Sequence, residues 1–231
     1  MARIALAVPS GDTWKAGFGL DWGSTMAHFM RRYAGKHSLL PTNLQVSMLP
    51  KGRADLVKQA MKQNATHILW TDADARFPPD TLERLFCHDL DFVACNAVRR
   101  TFPCTPTSRT AEGKIFYTHP GSFGLEEVTG HVGLHTALTK IEVFERTPKP
   151  WFCIPYVMES DDYQGEDVWF CNRYREHGGR IFIDHDLSWQ NRHSGGFEFS
   201  HQVAEAQIGE HEKEVEAKRA KDMADMLEAA D

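Results

Sequence analysis

The chain has 231 residues, of which 42% are hydrophobic and 25% charged, a composition typical of a folded protein of one or two domains that excludes a disordered chain. Its five cysteines lack a Cys-x-x-Cys spacing, and no apolar run approaches a membrane span or a secretory signal, so we expect a cytoplasmic protein without a membrane partner. The net charge of −6 comes almost entirely from residues 201–231, which hold nine acidic and four basic side chains, and bulk charge therefore does not attract nucleic acid.

The first half of the sequence alternates between segments typical of strands and segments typical of helices. Strands are predicted where apolar residues run together or alternate, at 3–8, 43–49 and 66–70. Apolar residues at helical spacing predict one helix capped by Ser24 and ended by Gly35, and a second from Arg53 to Lys62. This order is typical of parallel strands joined by right-handed crossovers, and it predicts a Rossmann-like half.

The second half predicts a mixture of shorter elements. A short helix opens at Pro79, another lies around 141–146, and a third follows Gly165 and reaches Glu176. Strands are predicted at 91–95 and 180–184, and a hairpin over 104–118.

No linker separates these elements, so we expect one domain over residues 1–198 and a charged C-terminal helix over 199–231. Sparse apolar residues at helical spacing would let this last helix lie on the body of the protein. Pairing of two such helices in a homodimer is the alternative, although fewer than three clean heptads are present.

Asp72 and Asp74 directly follow the predicted strand at 66–70. Ligands of open parallel sheets bind beyond the carboxyl ends of the strands. Two carboxylates at this spacing can converge on one hard cation that also holds phosphate oxygens. The alternative is that one Asp forms an Asx turn and the other caps a helix. The position at a strand end favours the cation site.

Five carboxylates are concentrated at the start of the segment 158–179, and they are Glu159, Asp161, Asp162, Glu166 and Asp167. Glu166 and Asp167 suit helix capping, because acidic groups are favourable at a helix N-terminus. They suit a general base equally well, because a carboxylate within hydrogen-bond reach of a hydroxyl can remove its proton. The residues alone leave both roles open.

His193 follows two short strand-like segments and precedes a glycine pair. Neutral imidazole is a frequent ligand of divalent transition ions, which makes this residue a candidate ligand. His185 is the competing candidate, but its acidic neighbours also suit a solvated turn. A surface or packed position is the alternative for either histidine.

Two basic segments border the predicted sheet. Arg53 opens the predicted second helix with Lys51, where a cation is mildly unfavourable unless it faces an anion or base that the helix end also attracts. Arg99 and Arg100 follow the strand at 91–95 in a similar position. Exposed charged side chains are the alternative for both segments.

Together these segments resemble the GT-A-fold glycosyltransferases, particularly the family-2-like enzymes of bacteria and phages, over roughly residues 3–196. The shared parts, in chain order, are a strand ending at Pro9 and Ser10, GRADLVKQAM, THILWTDADARFP, VTGHVGLHTALTKIEVFERTPKPWF, GEDVWFCNRYREHGG and a strand with His193. The resemblance implies a GT-A type, Rossmann-like mixed sheet flanked by helices. About residues 1–100 would bind the nucleotide and about 101–198 the acceptor.

The resemblance also implies a reaction, the transfer of a sugar from a UDP- or GDP-sugar to an acceptor hydroxyl with Mn²⁺ or Mg²⁺. Asp74 would be the direct metal ligand, and His193 would be a further ligand from the second half. Asp72 would contact the ribose or act as a second metal contact. The Gly130–His135 stretch, where the family often has Gly-x-Gly, would form a wall for donor sugar and acceptor.

The remaining family roles concern the donor and the proton transfer. Pro9, Ser10 and Arg53 are expected to contact the nucleobase or ribose. Asp167 is expected to be the general base of an inverting transfer, with Glu166 beside it binding acceptor or donor hydroxyls.

The acceptor stays open between a glycan and a hydroxylated base in phage DNA. A nucleotidyltransferase is one alternative function, although the loop after the first strand carries only Lys15 as a cation. A noncatalytic nucleotide-sugar binding module is another. A dinuclear metal hydrolase would need more histidines beside Asp72 and Asp74.

Overall fold

A seven-stranded mixed sheet lies at the centre of the computed structural model, which describes residues 1–228. The strands are β1 Arg3–Ser10, β2 Ser38–Gln45, β3 His67–Thr71, β4 Ala75–Arg76, β5 Phe92–Ala94, β6 Leu125–Glu127, β7 Thr136–Lys140, β8 Tyr156–Val157, β9 Asp162–Tyr163, β10 Phe182–Asp184, β11 Arg192–Ser194 and β12 Glu198–Ser200. The helices are α1 Ala16–Tyr33, α2 Leu49–Lys62, α3 Thr81–Cys87, α4 Glu142–Arg146, α5 Glu166–Glu176, α6 His185–Ser188, α7 His201–Ala206 and α8 Ile208–Glu228.

The strand order of the central sheet is β2-β1-β3-β7-β5-β10-β6. β1 pairs parallel with β2 and β3, and β5 pairs parallel with β10. β7 lies antiparallel between β3 and β5, and β6 is antiparallel to β10. The predicted α/β class, with a mixed sheet flanked by helices, is confirmed.

Helices cover both faces of the sheet, because successive side chains of a strand point to opposite faces. On one face, Trp70 of β3 joins a core cluster with Leu56 of α2 and Phe170 of α5. On the other face, the neighbouring Leu69 joins a cluster with Phe29 of α1. A strand buried on both faces has a continuous apolar run, which explains the strong strand signal of β1.

The starts of the first two helices differ from the sequence prediction. α1 begins at Ala16 and not at a Ser24 cap, because glycines in its early turns conceal the helical period. α2 begins at Leu49 and not at Arg53, with Pro50 in its first turn, where the missing N–H of proline costs little. Arg53 therefore lies inside α2.

Three strands in the sheet were predicted wrongly or not at all: β2 was shifted, and β6 and β7 were not predicted. The second strand runs over Ser38–Gln45 instead of 43–49, because it pairs along the whole of β1. β7 was not predicted, although its residues Thr136 to Lys140 are nearly all buried. A short antiparallel strand inserted between parallel neighbours leaves no helix–strand alternation by which it could be recognised.

The segment 104–118 forms a hairpin at the predicted turn, but a shorter one than expected. Gly113, at a φ of +77°, donates its N–H to the carbonyl of Thr110 at 3.0 Å. Isolated bridges join Arg109 to Ile115 on one side and to His131 on the other. The N–H of Thr110 donates to the carbonyl of Lys114 at 2.9 Å and that of Phe116 to the carbonyl of Ser108 at 3.0 Å. The predicted hairpin is therefore present close to its turn, but no regular strand extends over the rest of the segment.

The chain after residue 198 forms β12, α7 and α8, whereas a single helix was expected over 199–231, and residues 229–231 lie outside the described residues. Phe199 and Ala204 pack on Val98 and Cys104 of the body. Among residues 1–228, no helix combines the length and apolar character needed to cross a bilayer.

Candidate functional site

The polar side chains predicted at the end of β3 meet the C-terminal half through a small second sheet. β4 follows β3 after a turn and pairs antiparallel with β11, which places His193 opposite Ala75. The N–H of Ser194 donates to the carbonyl of Asp74 at 2.9 Å. His193 Nε2 consequently lies 3.3 Å from Asp74 Oδ1, so the structure brings these two predicted residues together.

His135 is a third member of this cluster that sequence reasoning placed only in a wall of the site. It immediately precedes β7, and pairing of Thr71 with Thr136 brings it to the carboxyl end of β3. Its ring centroid lies 4.4 Å from that of His193. Ligand atoms of Asp74, His135 and His193 all lie within 4.8 Å of one another. The sequence signal that could have identified His135 as a site residue is its position directly before a buried segment.

The hydrogen bonds of His193 leave one nitrogen for a ligand. Its Nδ1 lies 2.9 Å from the carbonyl oxygen of Val98, which can only accept, so Nδ1 donates. In the neutral ring, Nε2 then presents its lone pair toward a carboxylate oxygen of Asp74. Two acceptors in this arrangement repel each other unless a cation or a proton lies between them. Histidines that bind metals usually donate their other nitrogen to a carbonyl in this way.

The other two members also suit a cation. Burial is the main reason that the pKa of His135 is lowered to about 3, and the charges of His193 and Arg53 lower it further. The buried Nε2 of this neutral ring has no hydrogen-bond partner among the described residues. Burial opposes ionisation of Asp74, but the hydrogen bond that a protonated His193 donates to it, together with the neighbouring positive groups, outweighs burial and lowers the pKa of this carboxyl. The cluster therefore offers one carboxylate and two imidazoles.

This donor set fits a divalent ion. Mg²⁺ prefers oxygen ligands throughout, whereas imidazole binds transition ions. Two histidines beside Asp74 thus favour an ion such as Mn²⁺ over Mg²⁺. Arg100 Nη1 lies 2.8 Å from Asp74 Oδ2, so a guanidinium already faces the other oxygen of this carboxylate.

Asp72 lies outside the cluster, although it was predicted as a metal contact. Its Oδ1 accepts a hydrogen bond from Arg53 Nη2 at 2.9 Å, and Arg53 Nε donates to Glu166 Oε1 at 3.0 Å. Arg53 is only 2% exposed. It links the end of β3 to the start of α5 as a buried bridge. It does not lie on the open cleft where a nucleobase contact was expected.

An open cleft of about 400 Å³ extends from the cluster to the end of β1. Its lining includes Pro9, Ser10, Lys15, Asp74, Arg100 and His193. Asn43 Nδ2 donates to Ser10 Oγ at 2.8 Å, and the N–H of Lys15 donates to the carbonyl of Ala73 at 3.1 Å. The loop after β1 is therefore fastened to the segment that carries Asp74.

A second cavity of about 250 Å³ adjoins this cleft, and Asp72 and His193 line both. Glu166 and Asp167 begin α5 at its wall. Burial, followed by the charge of Glu166, raises the pKa of Asp167 to about 6, although Arg53 opposes the shift. Asp167 is thus a carboxylate whose pKa lies within about one unit of neutral pH.

The other predicted acids and His185 do not reach the site. Glu159, Asp161 and Asp162 lie exposed on or beside the β8–β9 hairpin. His185 is buried, with Nδ1 3.0 Å from Thr118 Oγ1 and Nε2 3.0 Å from a carboxylate oxygen of Glu126. The solvated turn suggested for it is wrong, because the ring is buried and both of its nitrogens have partners within the chain.

No family model matches the sequence, and no curated protein matches it. A197 from STIV is a similar solved structure, with a TM-score of 0.48 and 15% identity over 84% of this chain and 86% of that one. The catalytic domain of Drosophila beta1,4-galactosyltransferase 7, in complex with xylobiose, has a TM-score of 0.45 and 18% identity, covering 80% of this chain and 65% of that one. A glycosyltransferase involved in glycosylation of the major capsid of PBCV-1 has a TM-score of 0.33 and 13% identity, covering 78% of this chain and 92% of that one.

Two of these solved structures are thus glycosyltransferases. All three TM-scores are below 0.5, so the function has to be argued from the site.

Proposed function

We propose that this protein is a metal-dependent glycosyltransferase that moves a sugar from a nucleoside diphosphate to an acceptor hydroxyl. The observation that carries the proposal is the His193–Asp74 contact, in which Nε2 faces a carboxylate oxygen at 3.3 Å while Nδ1 is bound to a carbonyl. This arrangement, which suits a cation, lies at the carboxyl end of β3, where ligands of open α/β sheets bind. A carboxylate suited to proton transfer lines the adjoining cavity.

The cleft between β1 and the cluster suits a nucleotide diphosphate. Pro9 and Ser10 at the end of β1 offer a surface for the nucleoside, as the family resemblance implies. Lys15 and Arg100 line the same cleft and can meet the negative charge of a diphosphate. Asp72 has a second oxygen for a ribose hydroxyl while Arg53 holds the first.

Asp74, His135 and His193 would hold the ion, which would supply positive charge to the leaving diphosphate. His193 is oriented for this by its bond to Val98. His135 is fixed by burial and contributes a neutral ring, so it adds no charge that would repel a cation.

Asp167 would accept the proton of the acceptor hydroxyl. With a pKa of about 6 it is mostly ionised at neutral pH and remains basic enough for proton transfer. We expect a single displacement with inversion at the anomeric carbon. Glu166 is held by Arg53 and would bind hydroxyls of the acceptor or donor beside this base.

The test is a panel of UDP- and GDP-sugars incubated with the protein and Mn²⁺, Mg²⁺ or EDTA. Sugar transfer releases the nucleoside diphosphate, and we expect this release with Mn²⁺ and its loss with EDTA. Release of pyrophosphate would indicate a nucleotidyltransferase instead. Donor binding without any turnover would indicate a noncatalytic binding module. NMR of the fresh product then reports the anomeric configuration, and retention of the donor configuration would contradict the single displacement.

A further inference from the structure

A buried hydrogen bond joins the two segments that carry the histidines of the cluster. Asn191 Nδ2 donates to Thr136 Oγ1 at 3.0 Å. Thr136 directly follows His135, and Asn191 lies two residues before His193. Asn191 is only 2% exposed and Thr136 is fully buried, so water does not compete for this bond. We refer to it as the Asn191–Thr136 link.

The link connects two separate sheets. Thr136 is the first residue of β7 in the central sheet, whereas Asn191 immediately precedes β11 of the small sheet. Strand pairing fixes β7 to β3 and β5, and it fixes β11 to β4 and β12. Within residues 1–228, the link is the only hydrogen bond between β7 and the segment 189–194. It therefore constrains the position of one histidine relative to the other, which pairing within each sheet does not do directly.

The hydroxyl of Thr136 also faces the ring of His135, with Oγ1 3.4 Å from Nδ1. A hydroxyl oxygen has two lone pairs, so it can accept from Nδ1–H and from Asn191 together. A proton on Nδ1 leaves the lone pair on Nε2, the buried nitrogen that has no partner among the described residues. His193 is arranged in the same way, because its Nδ1 donates to the carbonyl of Val98. Both rings then have Nδ1 bound to the chain and Nε2 left for a ligand.

We propose that Asn191 and Thr136 are positioning residues of the cluster, and that their link holds His135 and His193 at the spacing that one divalent ion requires. The inference rests on the cation site of the proposed function and not on the sugar transfer. Both side chains act through the histidines and do not bind the ion themselves. Groups that orient metal ligands from behind typically contribute 10–100-fold to metal affinity. A buried bond with a merely structural role would affect stability and leave that affinity unchanged.

Calorimetry of Mn²⁺ binding to the full chain tests the link. N191A and T136V should each bind Mn²⁺ about tenfold more weakly than the wild type, at the low end of the range for such groups. The double variant N191A/T136V should bind no more weakly than the weaker-binding single variant, because both substitutions remove the same bond. T136S keeps the hydroxyl and should bind as the wild type does.

T139V is the matched control for loss of a buried bond. Thr139 is also fully buried on β7, and its Oγ1 accepts a hydrogen bond from Trp70 Nε1 at 3.1 Å. Thr139 lies three residues further along the strand from the cluster than Thr136 does. T139V and T136V should lose similar stability to urea, but T139V should bind Mn²⁺ as the wild type does. Equal weakening of Mn²⁺ binding by both variants would overturn the proposal, because it would reflect the stability of β7 in general.

Nitrogen NMR of the histidine rings in the metal-free protein gives a readout that does not depend on the ion. Burial lowers the pKa of His135 to about 3, so the ring is neutral at neutral pH and carries one ring proton. We expect this proton on Nδ1 in the wild type and in T139V, and on a mixture of the two nitrogens in T136V. A proton on Nε2 in the wild type would contradict the role given to Thr136.

The outcomes separate this proposal from the proposed function. Wild-type Mn²⁺ binding that N191A and T136V leave unchanged would overturn the positioning role and keep the proposed function. Weaker Mn²⁺ binding by both variants, without donor turnover by the wild type, would keep the positioning role and reject the sugar transfer. No Mn²⁺ binding by the wild type would reject both.

Discussion

The cluster of Asp74, His135 and His193 and the Arg53 bridge are both built from polar residues at the end of β3, but they differ in how these residues are paired. Arg53 binds Asp72 and Glu166 within the protein, at 2.9 and 3.0 Å. In the cluster, by contrast, the buried Nε2 of His135 has no hydrogen-bond partner among the described residues, and His193 Nε2 faces a carboxylate oxygen of Asp74. A buried polar group without a partner is costly.

This difference separates the acids that complete the fold from those that can receive a ligand. Asp72 and Glu166 are held by the buried Arg53, whereas Asp74 is paired with the more exposed Arg100 and, with the two histidines, offers ligand atoms to a partner from solution. Asp167 lies between the two groups, because it is adjacent to the bridge but has a raised pKa.

The largest effect is expected from removing a charge in the cluster. D74N should lower Mn²⁺ affinity and donor turnover by on the order of 100-fold or more, because even residues behind metal ligands typically contribute 10–100-fold. Calorimetry with Mn²⁺ and a turnover assay measure the two effects. D161N is the control, since Asp161 is an exposed acid that does not belong to the cluster. Unchanged Mn²⁺ binding by D74N would remove the basis of the metal site.

The pH dependence of transfer tests whether Asp167, which lies beside the Arg53 bridge, acts as the general base. Transfer should rise with pH and level off above about 6, the pKa of this carboxyl, because only the ionised form accepts a proton. D167N should lose about 10²-fold or more of the rate, as general-base variants do, and also lose this limb of the profile. A profile that is flat from pH 5 to 8 in the wild type would contradict the assignment.

The ionisation of Asp167 that should raise activity with pH should also lower the stability of the folded protein. The pKa of Asp167 in the folded state is raised above its ordinary value of about 3.9 in the unfolded chain. The bound proton therefore stabilises the folded protein fully below a pH of about 3.9, and this contribution is lost as pH rises through about 6. Relative to wild type, D167N should therefore gain stability between pH 4 and pH 6. Urea unfolding at several pH values measures this difference, and a constant difference would argue against the raised pKa.

R53A tests the bridge itself and should act mainly on stability. It leaves two carboxylates in or near the interior without their partner, and breaking a buried pair costs about 3–5 kcal/mol. R180A is the matched control, because Arg180 and Glu127 form a fully exposed pair of the kind that contributes little to stability. Urea unfolding compares them. Equal free energies of unfolding for the two variants would show that the bridge is not a structural unit.

The smallest effect is expected from Arg100, which competes for Asp74. R100A should tighten Mn²⁺ binding in the absence of donor by up to about fivefold, since partly exposed ion pairs contribute about 1 kcal/mol or less. R192A, which removes an exposed arginine paired with Glu198, should leave the affinity unchanged. Weaker Mn²⁺ binding by R100A would mean that Arg100 supports the cluster instead of competing with it.

Local elements with strong signals were predictable. α5 runs over Glu166–Glu176 as expected, because Gly165 and two acids mark its start. The parallel arrangement of β1, β2 and β3 also follows the prediction, since helices separate them in the sequence. The fold after β5 was less predictable, because its short strands and turns depend on pairing with distant segments.

The order of elements, the position of Asp72 and Asp74 after a strand, and the acids at the start of α5 were determined by the sequence itself, because each depends on residues close together in the chain. Tertiary structure alone decided that His135 joins His193 and that Arg53 is buried between two carboxylates. Those contacts depend on the pairing of β4 with β11 and of β3 with β7. Strand pairing joins residues far apart in sequence, and no local period of hydrophobic residues specifies it.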